Sequence, residues 1–188
     1  MKTIGVLALQ GDFSKHAEAV HAAGGETLEV REAADLESAE GLIIPGGEST
    51  VIGKLLVRYG LMDPVKRFAA AGKPVFGTCA GAILLSARVE RYEQPCLGLL
   101  DIQVRRNGYG RQIASFETPL AVPVLGAIPL RAVFIRAPVI TAVGKGVEVL
   151  AEHKGIPVFL RQGAVMAATF HPELSGDTRL HKYFLSQG

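Results

Sequence analysis

Three segments of this 188-residue sequence combine residue types that could do chemistry together. The first is Gly77-Thr78-Cys79-Ala80-Gly81, set between the apolar run Val75-Phe76 and the helix-like Ala82-Ile83-Leu84-Leu85. This is the pattern of a nucleophile elbow, glycine–x–nucleophile–x–glycine, with cysteine where many hydrolases carry serine. Small flanking residues permit the tight, strained turn that presents such a side chain at a sheet edge. A helix starting just beyond the sulfur aims its first amides and its positive dipole end at it, which favours the thiolate. The second segment, Phe170-His171-Pro172-Glu173, follows a predicted strand over 165–169. In extended backbone, residues two apart face the same way, so His171 and Glu173 are predicted side by side, with Pro172 stiffening the chain between them. A thiolate needs a base, and the base needs a group that orients its other ring nitrogen. The third segment, Pro45-Gly46-Gly47-Glu48-Ser49-Thr50, offers glycine amides that can approach a developing oxyanion, and a Ser or Thr to cap a following helix. A phosphate loop would require Gly-Lys-Ser/Thr at this point, and no such triplet follows.

These segments can act together only if the fold brings them to one place. The first half of the chain alternates strand-like and helix-like stretches. Strands are predicted over 3–9, 27–30, 41–44 and 75–76, and helices over 14–23 (with Ser14 as cap and Gly24-Gly25 as stop), 50–59 and 63–71. Strands separated by helices call for right-handed crossovers and a parallel sheet, whose ligands sit beyond the carboxyl ends of the strands. Gln10-Gly11, Pro45-Gly46-Gly47 and Gly77-Thr78-Cys79 each follow such a strand and should converge on one edge. From 99 to 169 the sequence is β-rich, with Pro and Gly at short intervals and no long helix; strands are predicted over 132–135, 147–151, 158–161 and 165–169, and a closing helix over 178–185.

Bulk properties narrow the field. The length suits a single domain spanning 1–188 with a sizeable core. Twenty Lys and Arg against eighteen Asp and Glu leave a net charge of +2, too weak to point to nucleic acid or an anionic membrane. No apolar stretch approaches the roughly 18 residues of a spanning helix. Lys2, the apolar residues 4–9 and Ala17-Glu18-Ala19 loosely imitate a signal peptide, but the run is short and is broken by Gln10-Gly11-Asp12. Two cysteines, Cys79 and Cys96, make no disulfide framework, so a reducing cytoplasm is the expected setting. Cys96 lacks the turn that would activate a thiol and is expected to be structural or incidental.

The order elbow cysteine, then His-Pro-Glu near the C-terminus, resembles class I glutamine amidotransferase domains. Further strings resemble the glutaminase subunits of pyridoxal 5′-phosphate synthases: Gly5-Val6-Leu7-Ala8-Leu9-Gln10-Gly11, Pro-Gly-Gly-Glu-Ser-Thr at 45–50, Gly-Thr-Cys-Ala-Gly at 77–81, Arg105-Arg106-Asn107 with Gly110-Arg111-Gln112, Phe134-Ile135-Arg136-Ala137-Pro138, and Phe-His-Pro-Glu-Leu at 170–174. The likeness runs over essentially the whole chain; Ala82 and Gly108-Tyr109 depart from the pattern. It implies a flavodoxin-like three-layer α/β/α fold with a mostly parallel central sheet. It implies a Cys79–His171–Glu173 triad, an oxyanion site from the amides of Gly47 and Ala80, glutamine contacts from Gly47, Glu48, Ser49, Arg106, Ile135 and Arg136, and a supporting role for Gln10. Read alone, Arg106 and Arg136 would be solvated surface charges. The implied reaction hydrolyses L-glutamine to glutamate and ammonia without metal or organic cofactor. The ammonia would pass to a separate synthase subunit in a hetero-oligomeric complex. Rivals stand beside this reading: a glutaminase subunit for another ammonia-using synthase, such as imidazole glycerol phosphate synthase; a catalytically silent docking or regulatory subunit; and a cysteine peptidase or reactive-cysteine chaperone on the same elbow.

Overall fold

The computed structural model describes residues 1–108 and 115–187, so Tyr109 and the Gly110-Arg111-Gln112 string lie outside the described residues. The chain opens with strand β1 (Thr3–Leu7), helix α1 (Phe13–Ala22), strands β2 (Glu26–Val30) and β3 (Gly41–Ile44), helices α2 (Ser49–Arg58) and α3 (Met62–Ala70), strand β4 (Val75–Thr78) and helix α4 (Ala80–Leu85). It continues through β5 (Ser86–Val89), β6 (Leu100–Arg105), β7 (Ser115–Leu120), β8 (Leu130–Ile135), β9 (Val139–Val143), β10 (Glu148–His153), β11 (Ile156–Gln162) and β12 (Val165–Ala168), and ends in α5 (Arg179–Leu185).

Seven strands form the central sheet in the order β10-β11-β12-β4-β3-β1-β2. β2, β1, β3, β4 and β12 run parallel to their neighbours, and β11 and β10 add an antiparallel edge. The parallel strands read as unbroken apolar runs because both of their faces are covered. Alternate residues serve opposite sides. Leu42, Ile44, Val75, Leu160 and Ala167 pack with Ile52 and Leu56 of α2, Val65 of α3 and all of α4 except Gly81. Ile4, Val6, Ile43, Phe76, Met166 and Ala168 pack with Val20 of α1 and Leu180 and Phe184 of α5. The result is the three-layer α/β/α arrangement expected for the class, with β5-β6-β9 and the β7-β8 hairpin as small additional sheets. Among the described residues, no helix is long and apolar enough to cross a membrane.

Three local expectations are corrected. α1 begins at Phe13 and Ser14 lies inside its first turn; Asp12 stands at the cap position without a side-chain cap bond. α2 is capped by neither Ser49 nor Thr50 but by the Glu48 carboxylate, which accepts the N–H groups of Thr50 and Val51 at 3.3 and 3.0 Å. β5, β6, β7 and β9 were absent from the prediction. β6 alternates buried with more exposed residues and β7 exposed with half-buried ones, instead of forming apolar runs, and β7 contains Pro119.

Candidate active site

Four adjacent parallel strands, β1, β3, β4 and β12, end on the same edge of the sheet. The residues just past those ends are Gln10, Gly47 to Ser49, Cys79 and His171. Two loops from the small sheets complete the ring: Arg106 and Asn107 follow β6, and Ile135 and Arg136 lie at the end of β8. Together they line a cavity of about 350 Å³, with Asp12, Ala80 and Ile83 filling the gaps. That volume lies near the lower end of small-molecule sites.

Cys79 is held in a conformation few L-residues adopt, φ 48° and ψ −102°. Its N–H donates to Ala168 O at 2.8 Å, tying the elbow to β12, and the sulfur approaches Ile135 O at 3.8 Å. The turn is affordable only because its neighbours are small. A Cβ at Gly81 would run into the Ile44 carbonyl oxygen, and one at Gly77 would meet Gly81 and Leu85. Asn107 (φ 49°) and Arg136 (φ 44°) line the same cavity with left-handed backbones. Strain of this kind concentrates at binding and catalytic sites.

His171 is pinned by its N–H to Val133 O of β8 at 2.8 Å. Its Nδ1 donates to Glu173 Oε1 at 2.7 Å, and both side chains are buried. The expected pairing is present, but by a different backbone route. His171 caps a 3-10 turn, Pro172–Leu174, so a tight turn rather than an extended strand sets Glu173 behind the imidazole. Proline suits the first position of such a turn because its missing N–H would have had no partner there. Burial disfavours a charge on His171, but hydrogen bonds to Cys79 and Glu173 and the attraction of both groups outweigh it and push its pKa up to about 10. The loop after β3 closes over the ring: a Cβ on Gly46 would sit 2.5 Å from His171 Cε1. Asp12, His171 and Glu173 have donor atoms within 4.8 Å of one another. Since His171 Nδ1 is engaged by Glu173, this cluster reads as the acid–base end of the site and not as an ion's ligand set.

Elsewhere around the cavity Gln10 Oε1 accepts the Glu48 N–H at 2.8 Å, fixing the β3 loop from below. Arg106 Nη2 donates to Glu48 Oε1 at 2.7 Å and Nη1 to Thr50 Oγ1 at 2.8 Å. Partial burial works against the charge on Glu48, but the Thr50 and Val51 amides and the Arg106 guanidinium overcome it and keep the carboxyl below its ordinary range. Ser49 is buried and donates to Gln94 Oε1 at 3.1 Å.

The structure thus brings together Gln10, Gly47, Glu48, Ser49, Cys79, Ala80, Arg106, Ile135, Arg136 and His171 around one cavity, with Glu173 directly behind. The sequence did not mark Tyr92, whose ring lies 4.7 Å from the Arg106 guanidinium, or Gln94; both sit in an aperiodic stretch with no motif to single them out. It also missed His16, on the buried face of α1 that Val20 shares one turn later. Ala82 is wholly buried in α4. Both cysteines are free, and Cys96 donates to Ile83 O at 3.5 Å, behind that lining residue and not itself in the cavity wall.

A strained cysteine elbow at the carboxyl edge of a mostly parallel sheet, with a buried imidazole–carboxylate pair just past the adjoining strand, is consistent with the class I glutamine amidotransferase fold. The chain belongs to the SNO glutamine amidotransferase family, whose model matches residues 6–188. It is 55% identical over 185 residues to the pyridoxal 5′-phosphate synthase subunit PdxT of Desulforudis audaxviator, covering 98% of each chain. It is 56% identical over 187 residues to the same-named subunit of Herpetosiphon aurantiacus, covering 97% of this chain and 98% of the other. A solved crystal structure of a glutamine amidotransferase superposes with a TM-score of 0.94 at 53% identity, covering 98% of this chain and 97% of that one.

Proposed function

We propose that this chain hydrolyses glutamine to glutamate and ammonia and hands the ammonia to a separate synthase subunit that makes pyridoxal 5′-phosphate. The observation that carries the reading is the placement of Cys79 and His171, with Glu173 behind the imidazole, in the wall of a cavity that also holds Glu48 and Arg106. The relatives matched over nearly their whole lengths, named as subunits of that synthase, support the pathway.

In this mechanism the Cys79 thiolate attacks the side-chain carboxamide carbon of glutamine. The oxyanion is received by the amides of Gly47 and Ala80, each worth on the order of 100- to 1,000-fold in rate. His171 gives its Nε2 proton to the departing nitrogen as the C–N bond breaks, leaving ammonia and a glutamyl thioester on Cys79. A water then attacks the thioester, losing its proton to His171, and glutamate leaves as the thiolate is restored. Glu173 holds Nδ1–H and stabilises the imidazolium. In the same cavity, Arg106 suits the substrate's α-carboxylate and Glu48 its ammonium, with Ser49, Ile135 and Arg136 closing the walls. Free ammonia is largely protonated in neutral water and so lost as a nucleophile, which argues for a docked partner.

The pathway is tested with glutamine labelled at the amide nitrogen with ¹⁵N, in the presence of excess unlabelled ammonium and the partner synthase. Labelled pyridoxal 5′-phosphate is expected. Unlabelled product would mean that the ammonia is not handed over directly.

A further inference from the structure

Behind the site, Glu173 is not the end of the polar chain. Its second oxygen, Oε2, is fully buried and has no closed hydrogen bond, yet His16 Nε2 of α1 stands 3.3 Å away. The same nitrogen lies 2.9 Å from Thr78 Oγ1, on the residue before the nucleophile. His16 Nδ1 is 3.2 Å from His181 Nε2 of α5. Both imidazoles have no exposed surface.

The protons of this chain follow from one orphan. His181 Nδ1 is buried without a partner. A buried lone pair without a donor is tolerated more readily than a buried N–H without an acceptor, so the His181 proton belongs on Nε2. His181 Nε2–H then donates to His16 Nδ1, and that leaves the His16 proton on Nε2, facing Thr78 Oγ1 and Glu173 Oε2. Burial, the largest influence on both rings, lowers both pKa values, His181 to about 3, in keeping with two neutral rings.

We propose that His16 is a positioning residue for the glutaminase reaction: its Nε2–H, bonded to Thr78 Oγ1 and 3.3 Å from Glu173 Oε2, turns its positive end towards that carboxylate, with His181 fixing the tautomer, so that Glu173 Oε1 stays directed at His171 Nδ1. This rests on the glutaminase reading given above. The charged or titratable groups facing Glu173 are His171 from its own turn, and Asp12 and His16 from the start of α1, with His181 of α5 behind His16. Without the His16 N–H beside it the buried carboxylate gains proton affinity, because a donor dipole facing the charged form is what favours it. Once Glu173 takes a proton, His171 loses its anionic partner, and the thiolate–imidazolium pair collapses at a higher pH.

The test compares His16→Leu, which removes the donor, with His16→Gln, whose amide N–H reaches the same place. The readout is the pH dependence of Cys79 alkylation by iodoacetamide, followed by peptide mass; it needs neither glutamine nor a partner, so it stands whatever becomes of the glutaminase reading. The acid limb is expected to move up by about one pH unit in His16→Leu, as for the loss of a donor facing a charged group, and to stay near wild type in His16→Gln. With the synthase present, kcat for glutamine should fall about tenfold in His16→Leu with KM unchanged. Should His16→Leu fail to fold, the double variant His16→Leu/His181→Leu, which orphans no imidazole, carries the same expectation. A folded donor-less variant with the wild-type alkylation profile would overturn the proposal. So would equal shifts in the Leu and Gln variants, which would reduce His16 to packing.

Discussion

Arg106 Nη2 lies 2.7 Å from Glu48 Oε1, so the two charges suited to the ends of an amino acid satisfy each other in the free chain. Binding therefore exchanges an internal ion pair for two ligand contacts and gains only the difference. Arg106→Ala is expected to raise KM for glutamine about 10- to 100-fold, the range for a lost hydrogen bond to a charged group, and to change kcat little. Steady-state kinetics with the synthase present would check it. An unchanged KM would mean that the guanidinium meets no substrate.

Tyr92 holds Arg106 from outside, its ring 4.7 Å from the guanidinium carbon. A cation–π contact at a partly exposed site is worth about 0.5–1 kcal/mol, so Tyr92→Ala should raise KM about two- to fivefold and leave kcat alone. A KM matching wild type would show that Glu48 and Thr50 alone orient the arginine.

Gly46 is expected to be sensitive in activity more than in fold. The Cβ of Gly46→Ala would press on His171 Cε1 at 2.5 Å, and the imidazole is what must give. Displacing a base by an ångström costs on the order of 100-fold in rate, so kcat should fall that far while the melting temperature drops by only a few degrees. Full activity in the alanine variant would contradict the observed closeness of loop and ring.

The titration of His171 has two consequences. Its pKa is raised in the folded chain from an ordinary 6.5 to about 10, so the group stabilises the fold fully below 6.5 and loses that contribution as pH rises towards 10. Burial works against the charge on Glu173, but the pull of His16 and His171 and the hydrogen bond from His171 outweigh it and lower the group from 4.5, so its contribution is present above 4.5 and is lost on acidification. Activity against pH should accordingly show a base limb near pH 10 that moves down in Glu173→Gln, with kcat reduced on the order of 100-fold. A Glu173→Gln profile with an unmoved base limb would show that the carboxylate does not govern the imidazole.

Much of this arrangement was legible in the sequence, and the exceptions have physical reasons. Parallel strands covered on both faces write themselves as apolar runs, and β3 was read to the residue, Gly41 to Ile44. The elbow showed because its glycines answer to backbone contacts, Gly81 against Ile44 above all. His171 and Glu173 were paired correctly on incorrect grounds, since spacing alone does not tell an extended strand end from a 3-10 turn begun by Pro172. Glu48 was assigned to the ligand, and its second duty as cap of α2 was not seen, because Ser49 and Thr50 beside it are the commoner caps. His16 and His181 stayed hidden because their meaning lies in a contact 165 residues apart along the chain.

The most direct test of the account is ammonia release from glutamine by this chain mixed with a pyridoxal 5′-phosphate synthase partner subunit, beside the same mixture carrying Cys79→Ala. The account predicts release by the wild-type mixture and none above background in the variant. Release that survives the loss of the Cys79 thiol would contradict it, as would a wild-type mixture that releases none.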